Sequence, residues 1–128
     1  MPIIIDGWNF LRSEASSISD DDDARSIEAA LELICWLEDF QRSHADPIVL
    51  VFDSKNEHLG IDHINSPKFS VVAARNADKY IKGYIENIPE RQRKNLRVVS
   101  SDKDVYYYAK SAYASPVKSD EFWAVLDK

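Results

Sequence analysis

The strongest constraint on this chain is a set of short, unbroken apolar runs, each stopping at or shortly before an aspartate. Ile3-Ile4-Ile5 ends at Asp6, Pro47-Ile48-Val49-Leu50-Val51-Phe52 ends at Asp53, and Leu96-Arg97-Val98-Val99-Ser100-Ser101 is followed at once by Asp102. Phe69-Ser70-Val71-Val72-Ala73-Ala74 forms another run, with Asp78 shortly after it. Runs of this length read as strands, and continuous rather than alternating apolarity means that both faces are covered. Ser115-Pro116-Val117 reads as a short edge strand. Helical spacing fills the intervals. One face carries Ile27, Ala30, Leu31, Ile34, Leu37 and Phe40, with Cys35 read as core; a second carries Ala77, Tyr80, Ile81, Tyr84, Ile85 and Ile88. Val105, Tyr108, Ala109 and Ala112 mark a third helix, and Ser119 caps a last one through Phe122, Val125 and Leu126. Strands alternating with helices predict an α/β chain with a mostly parallel sheet of about five strands.

Size and composition narrow the class. With 128 residues, 45% hydrophobic and 30% charged, residues 1–128 read as a single domain with an ordinary apolar core. The one cysteine excludes an internal disulfide and fits a reducing cytoplasm, and together with three histidines it argues against structural zinc. No run approaches the ~20 apolar residues of a membrane helix. The net charge of −6 is unevenly distributed. Residues 1–67 carry four Lys/Arg against fourteen Asp/Glu, whereas residues 68–118 carry eleven against five. Such asymmetry is a way to build one basic face. Asp20 to Asp23 read as a helix start, and His58, Asp62 and His63 as surface-loop residues.

Parallel strands present their carboxyl ends at one edge, where sites of such sheets lie. Asp6, Asp53, Asp78 and Asp102 are therefore expected to converge there. Each alone also reads structurally, Asp78 and Asp102 as helix N-terminal acids and Asp6 and Asp53 as turn residues. Recurrence at several strand ends carries the functional reading. Converging carboxylates resist ionising together unless a cation sits among them, and oxygen ligands suit Mg²⁺ or Mn²⁺. Such an ion can activate water toward a phosphoryl group.

Ile3-Ile4-Ile5-Asp6-Gly7-Trp8-Asn9, Val51-Phe52-Asp53, Asn76-Ala77-Asp78-Lys79-Tyr80-Ile81 and Val98-Val99-Ser100-Ser101-Asp102 resemble the NYN family of PIN-like ribonucleases, in its YacP-like branch. Ser119-Asp120-Glu121-Phe122 fits that family's closing helix, so the resemblance spans nearly the whole chain. It implies a PIN-like three-layer α/β/α sandwich and a Mg²⁺- or Mn²⁺-dependent endoribonuclease. Position by position, it implies metal-binding and catalytic roles for Asp6, Asp78 and Asp102, with Asp53 as a further metal ligand. Asn9 matches the opening motif and is assigned to orienting a carboxylate or a metal-bound water. Trp8 stands where tyrosine is commoner.

RNA, single-stranded or ribosome-associated, is the expected partner. Its phosphates would fall to Arg75, Lys79, Lys82 and Lys103 near the acids and to a second cluster of Arg91, Arg93, Lys94 and Arg97. Trp8, with Tyr106 or Tyr107, offers a stacking surface for bases, Trp8 reading equally as partly buried beside the first strand. A second reading from another class is a catalytically silent PIN-like adaptor that binds RNA or a ribosomal partner. A phosphatase or receiver domain fits less well, since Asp6 has neither a D-x-D partner nor an acidic neighbour.

Overall fold

The computed structural model describes residues 1–18, 27–54, 63 and 65–127. The Asp20–Asp23 run, His58 and Asp62 lie outside the described residues. Along the chain run β1 (Ile3–Asp6), α1 (Gly7–Leu11), α2 (Ile27–Gln41), β2 (Ile48–Asp53), β3 (Phe69–Ala74) and α3 (Ala77–Glu86). A 3-10 helix (Glu90–Asn95), β4 (Arg97–Val99), α4 (Lys103–Ser111), β5 (Ser115–Val117) and α5 (Ser119–Leu126) complete the order. The five strands form one sheet in the order β3-β2-β1-β4-β5, and every pairing is parallel. From central β1 the chain builds outward to β2 and β3, then returns to the other side for β4 and β5. That reversal makes the crevice beyond β1 and β4 the topological switch point, where ligands of open α/β sheets bind.

Alternate residues of each strand enter opposite layers, which explains the unbroken apolar runs. Ile3, Ile5, Leu50, Phe52 and Val99 pack under α1, α2 and α5, against Phe10, Leu33, Leu37, Phe122 and Trp123. Ile4, Val51 and Val98 pack under α3 and α4, against Ile81, Ile85, Val105 and Ala109. The result is the three-layer α/β/α architecture. Trp123 locks α5 onto α1: its ring stacks on Phe10 at 4.3 Å, and its Nε1 donates to the Phe10 carbonyl at 2.7 Å.

Three local readings change. The buried face of α2 is Ala29, Ala30, Leu33, Ile34, Leu37 and Phe40, while Ile27 and Leu31 are 47% and 44% exposed. Cys35 is exposed rather than core, because at 3.6 residues per turn it falls opposite the face centred on Leu33 and Leu37. Ser119 is the first residue of α5, not its cap; Lys118 holds the cap position. α1 and the 3-10 helix, each one or two turns long, had no counterpart in the apolar pattern. His63 packs on Phe69, with ring centroids 5.0 Å apart.

Gly7 owes its identity to a close approach. A Cβ placed there would overlap the Phe52 ring, which is itself fully buried and faces Trp8 at 4.5 Å. Gly7→Ala is expected to destabilise the fold by about 1–3 kcal/mol through overpacking, measured as a lower urea midpoint. An unchanged midpoint would contradict the contact.

Candidate active site at the carboxyl edge of the sheet

The four strand-end acids meet. Asp6 ends β1, Asp53 ends β2, Asp78 lies in the first turn of α3 after β3, and Asp102 caps α4 after β4. All four line one cavity of about 220 Å³, together with Trp8, Asn9, Arg12 and Ala77. Asp6 is 7% exposed, a carboxylate at the end of the central strand with little water to solvate it.

The electrostatics follow from that placement. Burial is the main cause that pushes the Asp6 carboxyl up to about 6, followed by the negative charge of Asp78 and a smaller push from Asp102. The Asn9 backbone N–H and the Ser100 hydroxyl pull the other way. Asp78 is also raised, by burial first and then by Asp102, with Asp104 and Asp53 adding to it and Lys82 opposing. The ion pairs among the described residues, Met1–Asp46, Arg42–Asp39 and Arg97–Asp46, include none of the four site acids. Nor do three Asp, Glu, His or Cys side chains among the described residues form a ready-made metal cluster. Acids that share a cavity and oppose one another's ionisation without enclosing a point fit a hard divalent ion that keeps several of its waters.

Side-chain hydrogen bonds fix the loops that carry these acids. Asn9 Oδ1 accepts from the Ser101 N–H and from the Ser119 hydroxyl, both at 2.8 Å. The Ser119 N–H in turn donates to Ser101 Oγ at 2.9 Å. The Ser100 hydroxyl donates to Asp6 Oδ2 at 3.4 Å and accepts from the Asp102 N–H at 3.1 Å. Asp102 Oδ1 caps α4 through the Asp104 and Val105 N–H groups, at 2.9 and 3.3 Å. Its helix-cap role and its place in the cavity are therefore compatible. Asp78 is not needed as a cap, because Asn76 accepts the Lys79 N–H at 3.0 Å.

The remaining candidates divide. Trp8 is 4% exposed, packed on Phe52, with Nε1 donating to the Asp53 carbonyl at 2.8 Å, which matches the burial beside the first strand that its sequence also allowed. Arg75 follows β3, and exposed Lys103 follows Asp102, both at the acid edge. Lys79 and Lys82 line a neighbouring cavity of about 520 Å³ that shares Asp78 with the first. Tyr107 is exposed, with its ring 5.4 Å from that of Tyr106; Lys118 Nζ lies 5.9 Å from the Tyr106 ring. Arg91, Arg93, Lys94 and Arg97 do not join the acids. They precede or begin β4, whose first residue pairs with Ile3, and so sit at the opposite, amino edge. Arg97 pairs there with Asp46 at 3.2 Å, and the Arg93 guanidinium donates to the Ile88 and Glu86 carbonyls at 2.9 and 3.3 Å. Sequence reasoning missed Arg12, Ser100 and Ser119. Arg12 stands one helical turn after Asn9, a signal hidden as long as α1 went unread.

Comparisons with known proteins bear on the fold and the family. The crystal structure of Rae1 (YacP) from Bacillus subtilis superposes with a TM-score of 0.77 at 17% identity, covering 99% of this chain and 74% of that one. A tryptophan-to-leucine mutant of the same protein gives 0.71 at 15% identity with the same coverage. At such identity the likeness is one of fold. No curated protein matches the sequence significantly. The model of the YacP-like NYN domain, by contrast, matches residues 3–128. With nearly the whole sequence matched and the sheet topology in accord, this chain belongs to the YacP-like NYN domain family.

Proposed function

We propose that this protein is a cytoplasmic endoribonuclease that hydrolyses phosphodiester bonds of single-stranded or ribosome-associated RNA with Mg²⁺ or Mn²⁺. The observation that carries the reading is the meeting of Asp6, Asp53, Asp78 and Asp102 in one cavity at the switch point of the sheet. Membership of a family that is typically nucleolytic supports it. Among the described residues, no helix is long and apolar enough to cross a membrane.

Asp6, Asp78 and Asp102, with Asp53, would hold the divalent ion. When bound, it supplies Lewis acidity at a phosphoryl oxygen and a water of lowered pKa for in-line attack. The chain's own residues do the rest. Asn9 acts as a positioning residue, holding the Ser101 and Ser119 segments so that Asp102 stays beside Asp6. Ser100 joins the Asp6 carboxylate to the backbone N–H of Asp102. Arg12, in the same cavity, offers a guanidinium to a non-bridging phosphate oxygen. Lys79 and Lys82, with Arg75 and Lys103, draw the flanking backbone phosphates toward the acids.

Asp6→Asn tests both the chemistry and its electrostatic basis. Mn²⁺-dependent cleavage of single-stranded RNA is expected to fall by at least about a hundredfold. RNA binding without any wild-type cleavage would favour the adaptor reading instead. The same substitution should stabilise the metal-free fold. Folded Asp6 keeps its proton up to about pH 6, whereas the unfolded chain releases it near 3.8. The folded state therefore binds more protons in that window, and stability falls as pH rises through it. In EDTA at about pH 8, Asp6→Asn is expected to exceed wild type by roughly 1–3 kcal/mol in urea denaturation, the gap closing below about pH 4. A variant less stable than wild type at the higher pH would contradict the assignment.

A further inference from the structure

Tyr113 is the one non-glycine residue with a positive φ, 68°, among the described residues. It closes the end of α4. Its N–H bonds the Lys110 carbonyl at 3.2 Å, and the Ala114 N–H reaches the Ala109 carbonyl at 2.9 Å. These are the two bonds of a Schellman motif, whose left-handed position normally falls to glycine because a Cβ is strained there. Packing does not compensate the strain. The Tyr113 side chain is 66% exposed, with no hydrogen-bond or ring partner among the described residues. A strained, unpacked aromatic is a reason to look for function beside it.

Beside it lies an open cleft of about 510 Å³ lined by Pro89, Glu90, Arg91 and Tyr113. Arg91 and Lys94 are both exposed and stand three residues apart on the 3-10 helix, so its three-residue turn places them on one side. Arg93 and Arg97 are engaged by protein partners, so of the cluster that also holds Arg91 and Lys94 these last two remain available, with Glu90 the single acid lining the cleft. An aromatic ring, a proline ring and a guanidinium plane beside an ammonium group match a nucleobase and its phosphates. An acidic peptide would use the cations but would not need the exposed ring.

The geometry points to this cleft as a second contact for single-stranded RNA, with a base stacked on Tyr113 and phosphates on Arg91 and Lys94. It lies at the amino edge of the sheet, across from the acids; the five steps along the chain from Arg97 to Asp102 correspond to roughly 17 Å of extended chain. A strand long enough to cross the sheet would be held at both edges. The inference rests on the RNA reading above, but not on cleavage.

The test is fluorescence anisotropy of a labelled oligouridylate, long enough to span both edges, binding to the full chain in EDTA. Tyr113→Gly and the double variant Arg91→Ala/Lys94→Ala are each expected to weaken binding by about five- to twentyfold. The melting temperature of Tyr113→Gly should equal or exceed that of wild type, since glycine relieves the left-handed backbone. Lost affinity then cannot be ascribed to unfolding. Wild-type affinity in both variants would overturn the cleft and leave the acid site standing. A wild-type chain that binds no RNA would overturn both readings. Competition by polyglutamate as effective as unlabelled RNA would reassign the cleft to an acidic peptide and overturn the RNA proposal.

Discussion

Asp6 occupies a position that would suit an isoleucine. It ends the central strand of a five-stranded parallel sheet, next to Ile5 and Gly7, and is almost entirely shielded from water. Desolvation alone disfavours its charge, and Asp78 and Asp102 disfavour it further. Ordinary surfaces relieve such crowding with a lysine or arginine, and the ion pairs among the described residues lie elsewhere. On the proposed reading, a bound divalent ion offsets that crowding with positive charge beyond what Arg12 and Lys82 bring. This conflict links the fold to the proposed chemistry.

Hydrogen bonds tie together the segments that carry the acids. Asn9 reaches two segments far away in the chain, the β4–α4 turn through the Ser101 N–H and the start of α5 through Ser119. Ser100 joins the ends of β1 and β4 at the point where the strand order reverses. Gly7 lets α1 begin directly against Phe52, which places Asn9 and Arg12 beside the cavity. The opening Asp6-Gly7-Trp8-Asn9 segment thus divides its tasks among charge, close approach, support of β2 and loop fixation.

Much of this architecture was legible in the sequence because it follows from local periodicity. Strands covered on both faces announce themselves as unbroken apolar runs, and acids at their ends need only the parallel arrangement to meet. What escaped depends on distant partners. Trp8 reads equally as a stacking ring and as a residue buried beside the first strand, and its contacts with Phe52 and the Asp53 carbonyl come from a segment far along the chain. Arg97 reads as a phosphate contact until Asp46, remote in the chain, takes its charge. Strand direction sends Arg91 and Lys94 to the far edge, which a count of basic residues between positions 68 and 118 does not reveal. On α2, Leu31 and Leu33 are equally apolar, and only the packing on the sheet decides that Leu33 is buried and Leu31 exposed.

Anomalous diffraction from crystals grown with Mn²⁺ tests whether the chain-distant carboxylates hold a divalent ion. The expected result is a manganese peak bounded by Asp6, Asp78 and Asp102, with water completing its shell. At saturating Mn²⁺, a cavity without a peak, or manganese bound only at other surface acids, would contradict it.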